Sequence, residues 1–587
     1  MNMIVRLILI FPLLGLWLGS IYSKAPLPPV TSFSVHVLTQ HNNNSRTGSN
    51  LLERILTTEN VREATFGKLF ERSVDGFIHA QPLYVQGVVL PGKGQRNVVY
   101  VATEADKVYA FDADDFKEEA PLWIAVLGTP EANVKKSTAY RSPTWGITST
   151  PVIDLASETL YVLARSTTPK RGYYLHALDL KDKSEKFGGP VFIEARRAGF
   201  DPDIHLQRPA LLLSKGAIYI GFGSYADGGP YHGWLFAYDA TTLKQLSVWN
   251  ATPTGVGGGL WQSGQGPASD STGAVFVAIG NGTWTSTSSA AQNYGNSVVK
   301  FKLDPSGLAV VSWFTPGNVE FLNACDTDLG SAGPLLLPGS NLLVAGGKEG
   351  FLYVLDRTNL GGFRAPPAGF VQNCNGRPSS AAPLDPQVVQ SFQAVHPKID
   401  FSNVHGGLPS ANEVCTDNHN IHGSPVYWNG PDGPHLYVWG ENERLWAYRW
   451  VGGKLTSGKA TSPSLYVGSK ADTKPLEPEE VSCAGGAGYS GGMPGGFLSI
   501  SAWGDKKGNG ILWAYHPLGD ANGNTRPGVL YAFDASDVTK LLWHSKQNAA
   551  RDDVGYFAKF NYPTIANGKV YLATFSNKLV VYGILRP

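Results

Sequence analysis

The stretch QPLYVQGVVLPGKGQRNVVYVATEADKVYAFDADDFKEEAPLWIAVL, residues 81–127, holds four short runs rich in Val, Tyr, Ala and Phe, each bounded by Gly, Pro, Asn or Asp. Apolar runs of β-branched and aromatic residues, cut by turn formers, predict a four-stranded antiparallel meander. Pro82, which opens the first run, has counterparts at Pro151, Pro209, Pro267, Pro334, Pro425, Pro494 and Pro563. Their mean spacing is roughly 69 residues, and a sustained period is the mark of a repeat architecture. Paired strand-like strings recur with it: TLYVLAR then YLHALDL, AIYIGFG then WLFAYDA, AVFVAIG then VVKFKLD, LLVAGG then FLYVLDR, HLYVWGE then RLWAYRW, and VLYAFDA then LLWHS. The reading is an all-β, eight-bladed β-propeller, in which neighbouring blades share a core and a chain of 587 residues forms one ring.

The last copy is short of a strand, because KVYLATF and KLVVYGI run straight into the C-terminal Leu585-Arg586-Pro587. The segment FGKLFERSV, from Phe66 to Val74, has the character of an outer strand, so an N-terminal strand is expected to close the ring and pair two otherwise open edges. The propeller then spans 66–587, with a lead-in segment at 24–65. Two stretches depart from the period, about 359–420 and 452–488, and are expected as long loops on one face.

Gly 68, Pro 39 and 11% aromatic residues suit a turn-rich β protein, while only 16% charged residues and a net charge of +1 argue against a nucleic-acid grip or a polybasic membrane patch. Residues 1–23 carry Arg6, then LILIFPLLGLWLG, then Ser20 and Ser23, the pattern of a secretory signal peptide. Its apolar run is shorter than the ~20 residues of a bilayer span. The expected product is secreted or extracellular, periplasmic in a bacterium, with no membrane span after signal removal. Cys325, Cys374, Cys415 and Cys483 form an even set without a CxxC pair, so disulfides outrank a zinc or redox site. Three connectivities are open, with Cys374–Cys415 and Cys325–Cys483 the first choice. Sequons at Asn43, Asn250 and Asn281 mark candidate glycans.

Residues just ahead of each blade proline begin the innermost strands and should line the central channel, among them His79, Trp261, Gln262, Asp328, His422 and Lys559. The region from Trp261 to Arg357 contains LWQSGQGPAS, AIGNGT, CDTDLGSAGPLLL and LLVAGGKEGFLYVLDR. These strings, and the lead-in HNNNSRTGSNLLERILTTENV, resemble the quinoprotein family of pyrroloquinoline-quinone (PQQ)-dependent alcohol dehydrogenases and their PQQ-like propeller relatives. The resemblance implies that Trp261, with Gln262 beside it, forms a floor under the planar quinone. It also implies that Asn281 and Asp328 are calcium ligands, that Asp328 is the catalytic base, and that Lys348 acts beside the quinone carbonyls. Asp227, in GSYADGGPYHGWLFAYD, stands where the family has a glutamate calcium ligand.

The implied chemistry is coherent. An aromatic platform suits a flat cofactor, and calcium takes oxygen donors and polarises the quinone. A lysine stabilises developing negative charge, and an aspartate accepts the alcohol proton. Two family features are missing: the adjacent cysteine pair above the quinone, and any CxxCH haem motif, so electrons would leave to a separate acceptor. The functional expectation is a secreted oxidoreductase that oxidises an alcohol or sugar with PQQ and calcium. The alternative is a non-catalytic extracellular binding or matrix scaffold whose partner is a protein or glycan.

Overall fold

Proline has a fixed φ and no N–H to donate, so each blade proline can precede an inner strand but not continue a ladder through itself. In the computed structural model, which describes residues 34–133, 142–195, 199–286, 293–367, 385–395, 420–441, 445–460 and 493–585, a strand begins within three residues of every one of the eight. Blade 1 is the meander Leu83–Leu90, Gly94–Thr103, Lys107–Asp112 and Trp123–Val126. Blade 2 starts at Val152–Asp154, blade 3 at Leu212–Ser214, blade 4 at Ala268–Ser269 and blade 5 at Leu335–Leu336. Blade 6 starts at Val426–Gly430, blade 7 at Phe497–Ser501 and blade 8 at Thr564–Ala566. The architecture is the expected eight-bladed propeller. Its core lies between blades, where alternate residues of facing sheets interdigitate; Trp234, Trp428, Trp513 and Trp543 are fully buried there.

Blade 8 closes as read from the sequence. Phe66–Ser73 pairs antiparallel with Lys578–Ile584, from Phe66 opposite Ile584 to Ser73 opposite Lys578. The two expected long loops need correction. Gln390–Gln393 is the outer strand of blade 5, paired with Phe351–Val354, and Lys454–Ala460 is the outer strand of blade 6. Both are polar strings, QSFQ and KLTSGKA, that join their blades through backbone hydrogen bonds on a solvent edge, so no apolar alternation marks them.

The lead-in does more than precede the ring. With the upper face defined by where the inner strands start, residues 36–50 circle the lower end of the channel and bond each blade in chain order. His36 and Val37 pair with Val85 and Tyr84 of blade 1. The Leu38 carbonyl accepts from Ile153 of blade 2 at 2.8 Å, and the Asn44 side chain donates to the Leu213 carbonyl of blade 3 at 2.8 Å. The carbonyls of Asn44, Ser45, Thr47 and Gly48 accept from Ser269, Leu336, Tyr427 and Ile500 of blades 4 to 7 at 2.8–2.9 Å. Finally the Asn50 amide donates to the Ile565 carbonyl of blade 8 at 2.8 Å.

Arg46 sits inside this plug with no exposed surface. It donates to the carbonyls of Pro267 (2.9 Å), Gln40 (2.7 Å) and Leu211 (3.2 Å) and to Thr39 Oγ1 (2.8 Å). Burial pushes its pKa down to about 9, which still leaves a cation at neutral pH, solvated by carbonyl dipoles. The Asn43 amide of the first sequon is held in the same plug by both atoms of Thr47 that can bond it, Oγ1 at 2.6 Å and N at 3.2 Å. Residues 1–23, read from the sequence as a signal peptide, and Cys374, Cys415 and Cys483 lie outside the described residues. Cys325 carries no free thiol. Among the described residues no helix is long and apolar enough to cross a membrane.

Candidate functional site

Three chain segments meet on the upper face. One is the turn Gly280-Asn281-Gly282 after the second strand of blade 4. The second is the approach to blade 5, Cys325–Ser331. The third is the turn Gly347-Lys348-Glu349-Gly350 after the second strand of blade 5. A Cβ at residue 280 would lie 2.4 Å from Asp328 Oδ1 and 2.6 Å from the Trp261 ring, so glycine is what lets the carboxylate and the indole share this corner. The Asn281 N–H then donates to Asp328 Oδ1 at 2.7 Å. Lys348 donates its own N–H to the Asp328 carbonyl at 3.0 Å, which brings its ammonium to 2.6 Å from Asp328 Oδ2 and 3.0 Å from Asp326 Oδ2. Burial alone would lower the lysine pKa; the two carboxylates overcome it and hold the pKa above the ordinary lysine value.

Asn296 organises the back of the cluster. It is fully buried in a left-handed conformation (φ 49°), donates to Asn281 Oδ1 (2.8 Å) and Asn323 Oδ1 (3.0 Å), and accepts from the Leu329 N–H (2.9 Å). The Asn281 Nδ2 donates to Asp326 Oδ1 at 2.9 Å. Both ends of the half-buried Asn281 amide are thus engaged within the cluster.

The Trp261 indole lies against Gly223, Gly259 and Gly280, where added Cβ atoms would come within 2.6–2.7 Å of the ring. Tyr231 meets it edge-on at 5.9 Å, and the Arg208 guanidinium stands over it at 6.0 Å, itself stacked on Phe560 at 3.8 Å. Gln262 does not join this surface. It is fully buried with φ 46°, donates to the Gln265 carbonyl (3.0 Å) and accepts from the Ala278 N–H (3.0 Å), so both ends of the amide are spent on holding the turn.

Asp227 is exposed on the loop after the second strand of blade 3 and accepts from the Tyr231 hydroxyl at 2.8 Å. It shares with Asn281, Tyr231, Trp284 and Asn323 an open groove of about 850 Å³. Asn281, Asp328, Lys348 and Trp261 are thus brought together, and Asp227 lies on their rim. Sequence reading missed Asp326; the signal was the Asp-x-Asp spacing in CDTDLG, which places two carboxylates on one lysine.

Among the described residues, no three His, Cys, Asp or Glu side chains are assembled tightly enough to hold a metal ion. The charge count nevertheless suits one: Asp227, Asp326 and Asp328 against Lys348 leave a net charge of −2, with the Asn281 amide oxygen adjacent. All of these donors are oxygens, the type calcium prefers. Deeper in the channel, His422 Nε2 lies 2.9 Å from Glu441 Oε1, and burial raises Glu441 to about 8. Burial, with Arg208 adding to it, lowers the nearby Lys559 to about 7.

No protein-family model and no curated protein sequence matches the chain. Solved structures do. A quinohemoprotein alcohol dehydrogenase from Pseudomonas putida HK5 superimposes with a TM-score of 0.51 at 13% identity, covering 94% of this chain and 80% of that one. A europium-containing methanol dehydrogenase gives 0.53 at 14% identity, covering 93% and 98%. The quinohemoprotein alcohol dehydrogenase from Comamonas testosteroni gives 0.51 at 15%, covering 93% and 80%. The fold is that of the quinoprotein dehydrogenase propellers, along nearly the whole chain.

Proposed function

We propose that the chain is a secreted or periplasmic quinoprotein-type oxidoreductase that oxidises an alcohol or a sugar. The observation that carries this reading is the convergence of Trp261, Asn281, Asp328 and Lys348 on one end of a channel closed at the other end by residues 36–50.

The residues fit a quinone and its metal by chemistry. Trp261 offers an aromatic platform, and Arg208 and Lys348 supply two cations around the channel for the carboxylates of PQQ, joined by Lys559 once a bound carboxylate raises its lowered pKa. Asp227, Asn281, Asp326 and Asp328 supply oxygens for calcium or for a lanthanide such as the europium of one structural neighbour. When bound, PQQ supplies the two-electron acceptor and the metal polarises it. Asp328 takes the proton of the substrate hydroxyl, and Lys348 orients its carboxylate and balances its charge. The open groove beside Asn281 admits the substrate, with Tyr231 and Trp284 as apolar walls and Asp227 and Asn323 as polar contacts.

A scaffold reading is favoured by one observation: Lys348 already bridges Asp326 and Asp328, the place a metal would take. Dye-linked activity separates the two. Protein reconstituted with PQQ and calcium, or europium, should reduce an artificial acceptor with some member of an alcohol and sugar panel. Asp328→Asn should lower that rate by about 10²–10⁴-fold, the range for loss of a positioned base. No turnover with any ion or substrate supports the scaffold.

A further inference from the structure

A second acidic cluster lies in blade 1 and has no part in the proposed reaction. Glu104 and Asp106 follow the second strand of that blade, and neither residue has any exposed surface. Glu104 Oε2 accepts from the Gly146 N–H at 2.7 Å. Three other carboxylate oxygens, Glu104 Oε1 and both of Asp106, have no hydrogen-bond donor. His79 Nε2 stands 3.7 Å from Glu104 Oε1, beyond hydrogen-bond reach. Buried carboxylate oxygens are ordinarily paired or bound to a cation, because desolvating them without compensation is costly.

The surrounding charges do not supply that compensation. Arg165 is tied to Glu131 at 2.5 Å and to Asp203 at 3.1 Å, and Arg171 is tied to the same two carboxylates. Among the described residues, two guanidiniums against Glu131 and Asp203 cancel, so burial raises Glu104 to about 7, and burial with the neighbouring Glu104 raises Asp106 to about 9, Arg165 only partly opposing it. Gly128 and Gly146 let main chain pack close to the pair. A Cβ on Gly146 would lie 2.8 Å from Asp106 Oδ1 and 2.5 Å from the Glu104 carbonyl, and one on Gly128 would lie 3.4 Å from Asp106 Oδ2.

We propose that Glu104 and Asp106 form a buried structural site for one hard divalent cation, calcium, separate from the cluster around Asp328. Oxygen-only donors select a hard ion. Calcium accepts irregular coordination with main-chain oxygens, whereas magnesium demands a near-ideal octahedron and keeps several waters, for which main chain packed this close leaves little room. Binding to the folded chain alone makes the melting temperature depend on the free ion. Removing the ion leaves two uncompensated buried carboxylates, so the apo protein is the one that neutral substitutions should help.

Calcium chloride alone, without quinone, is the probe. After EDTA treatment and re-addition of calcium, the full-length protein and a Glu104→Gln/Asp106→Asn double variant are compared by bound calcium per chain and by thermal melting. The double variant should hold one calcium fewer than the wild type. Calcium should raise its melting temperature less than that of the wild type, by the share this site contributes, and in EDTA it should melt above the wild type. Asp328→Asn should retain the calcium that the double variant loses. Equal calcium content in wild type and double variant overturns the site. So does a wild-type melting temperature that calcium does not move, which marks the pair as uncharged acids. Calcium lost only from Asp328→Asn refutes this site while leaving the reading of the upper cluster intact.

Discussion

The two ends of the channel are built from different kinds of interaction. At the lower end, residues 36–50 reach all eight blades mostly through main-chain groups, and the one buried cation, Arg46, is surrounded by carbonyls and a hydroxyl. At the upper end the partners are side chains: Asp326, Asp328, Asn281 and Lys348 satisfy one another across three separate turns. Main-chain pairing tolerates many sequences and serves closure. A cluster of mutually compensating charges depends on each residue and can exchange those partners for a ligand. On the proposed function, the lower end serves stability and the upper end chemistry.

The largest expected effect breaks the lower end. Arg46→Leu leaves several buried acceptors without a donor, each costing about 1–3 kcal/mol, so a loss of about 3–5 kcal/mol is expected in urea unfolding. A change below 1 kcal/mol would show that the plug is dispensable. Next in size is Gly280→Ala, whose Cβ would intrude between Asp328 and Trp261. It should cost about 1–3 kcal/mol as local overpacking, and should abolish quinone binding measured by absorbance titration. Trp261→Ala removes only the platform. Its quinone affinity should fall about tenfold to a hundredfold, the worth of one aromatic stacking partner at ~1–3 kcal/mol, with melting almost unchanged.

The last effect concerns pH and shows as a difference between two proteins across a pH range. Burial raises Glu441 from its ordinary 4.5 to about 8, so between those values the folded state binds a proton that the unfolded state has released. Stability from this group is therefore present below pH ~4.5 and is lost as pH rises through ~8. Glu441→Gln should melt higher than wild type at pH 9, and the gap should narrow towards pH 5. The buried histidines work in the other direction: burial lowers His79 from its ordinary 6.5 to about 3, so stability from it is lost as pH falls below 6.5. Comparing the two proteins at each pH isolates the Glu441 contribution.

The blades were legible in the sequence because their second and third strands alternate apolar residues toward two neighbouring blades, as in NVVYVAT and KVYAFDA. The outer strands QSFQ and KLTSGKA were hidden because each brings only one apolar residue to the core, Phe392 against Tyr448 and the buried Leu455, too few to show an alternation. The plug was hidden for a related reason: HNNNSRTGSN carries no periodic pattern, and its role rests on carbonyls and short amides. At the upper face, Trp261, Asn281, Asp328 and Lys348 were readable from the resemblance to quinoproteins, and they do converge. Asp326 was passed over because an aspartate two residues from another reads equally well as a turn residue. Gln262 sits where the backbone reverses to φ 46° immediately after Trp261, and its amide is bonded to the Gln265 carbonyl and the Ala278 N–H.

The most direct test of the account is an equilibrium titration of the purified, EDTA-treated chain with PQQ, in calcium, in europium and without metal, followed by quinone absorbance and tryptophan fluorescence. The account predicts saturable binding of one PQQ per chain that requires the metal and quenches the signal of Trp261, with Trp261→Ala as the reference. Absence of binding in both metals would contradict it and leave the upper end of the channel a structural ion-pair cluster.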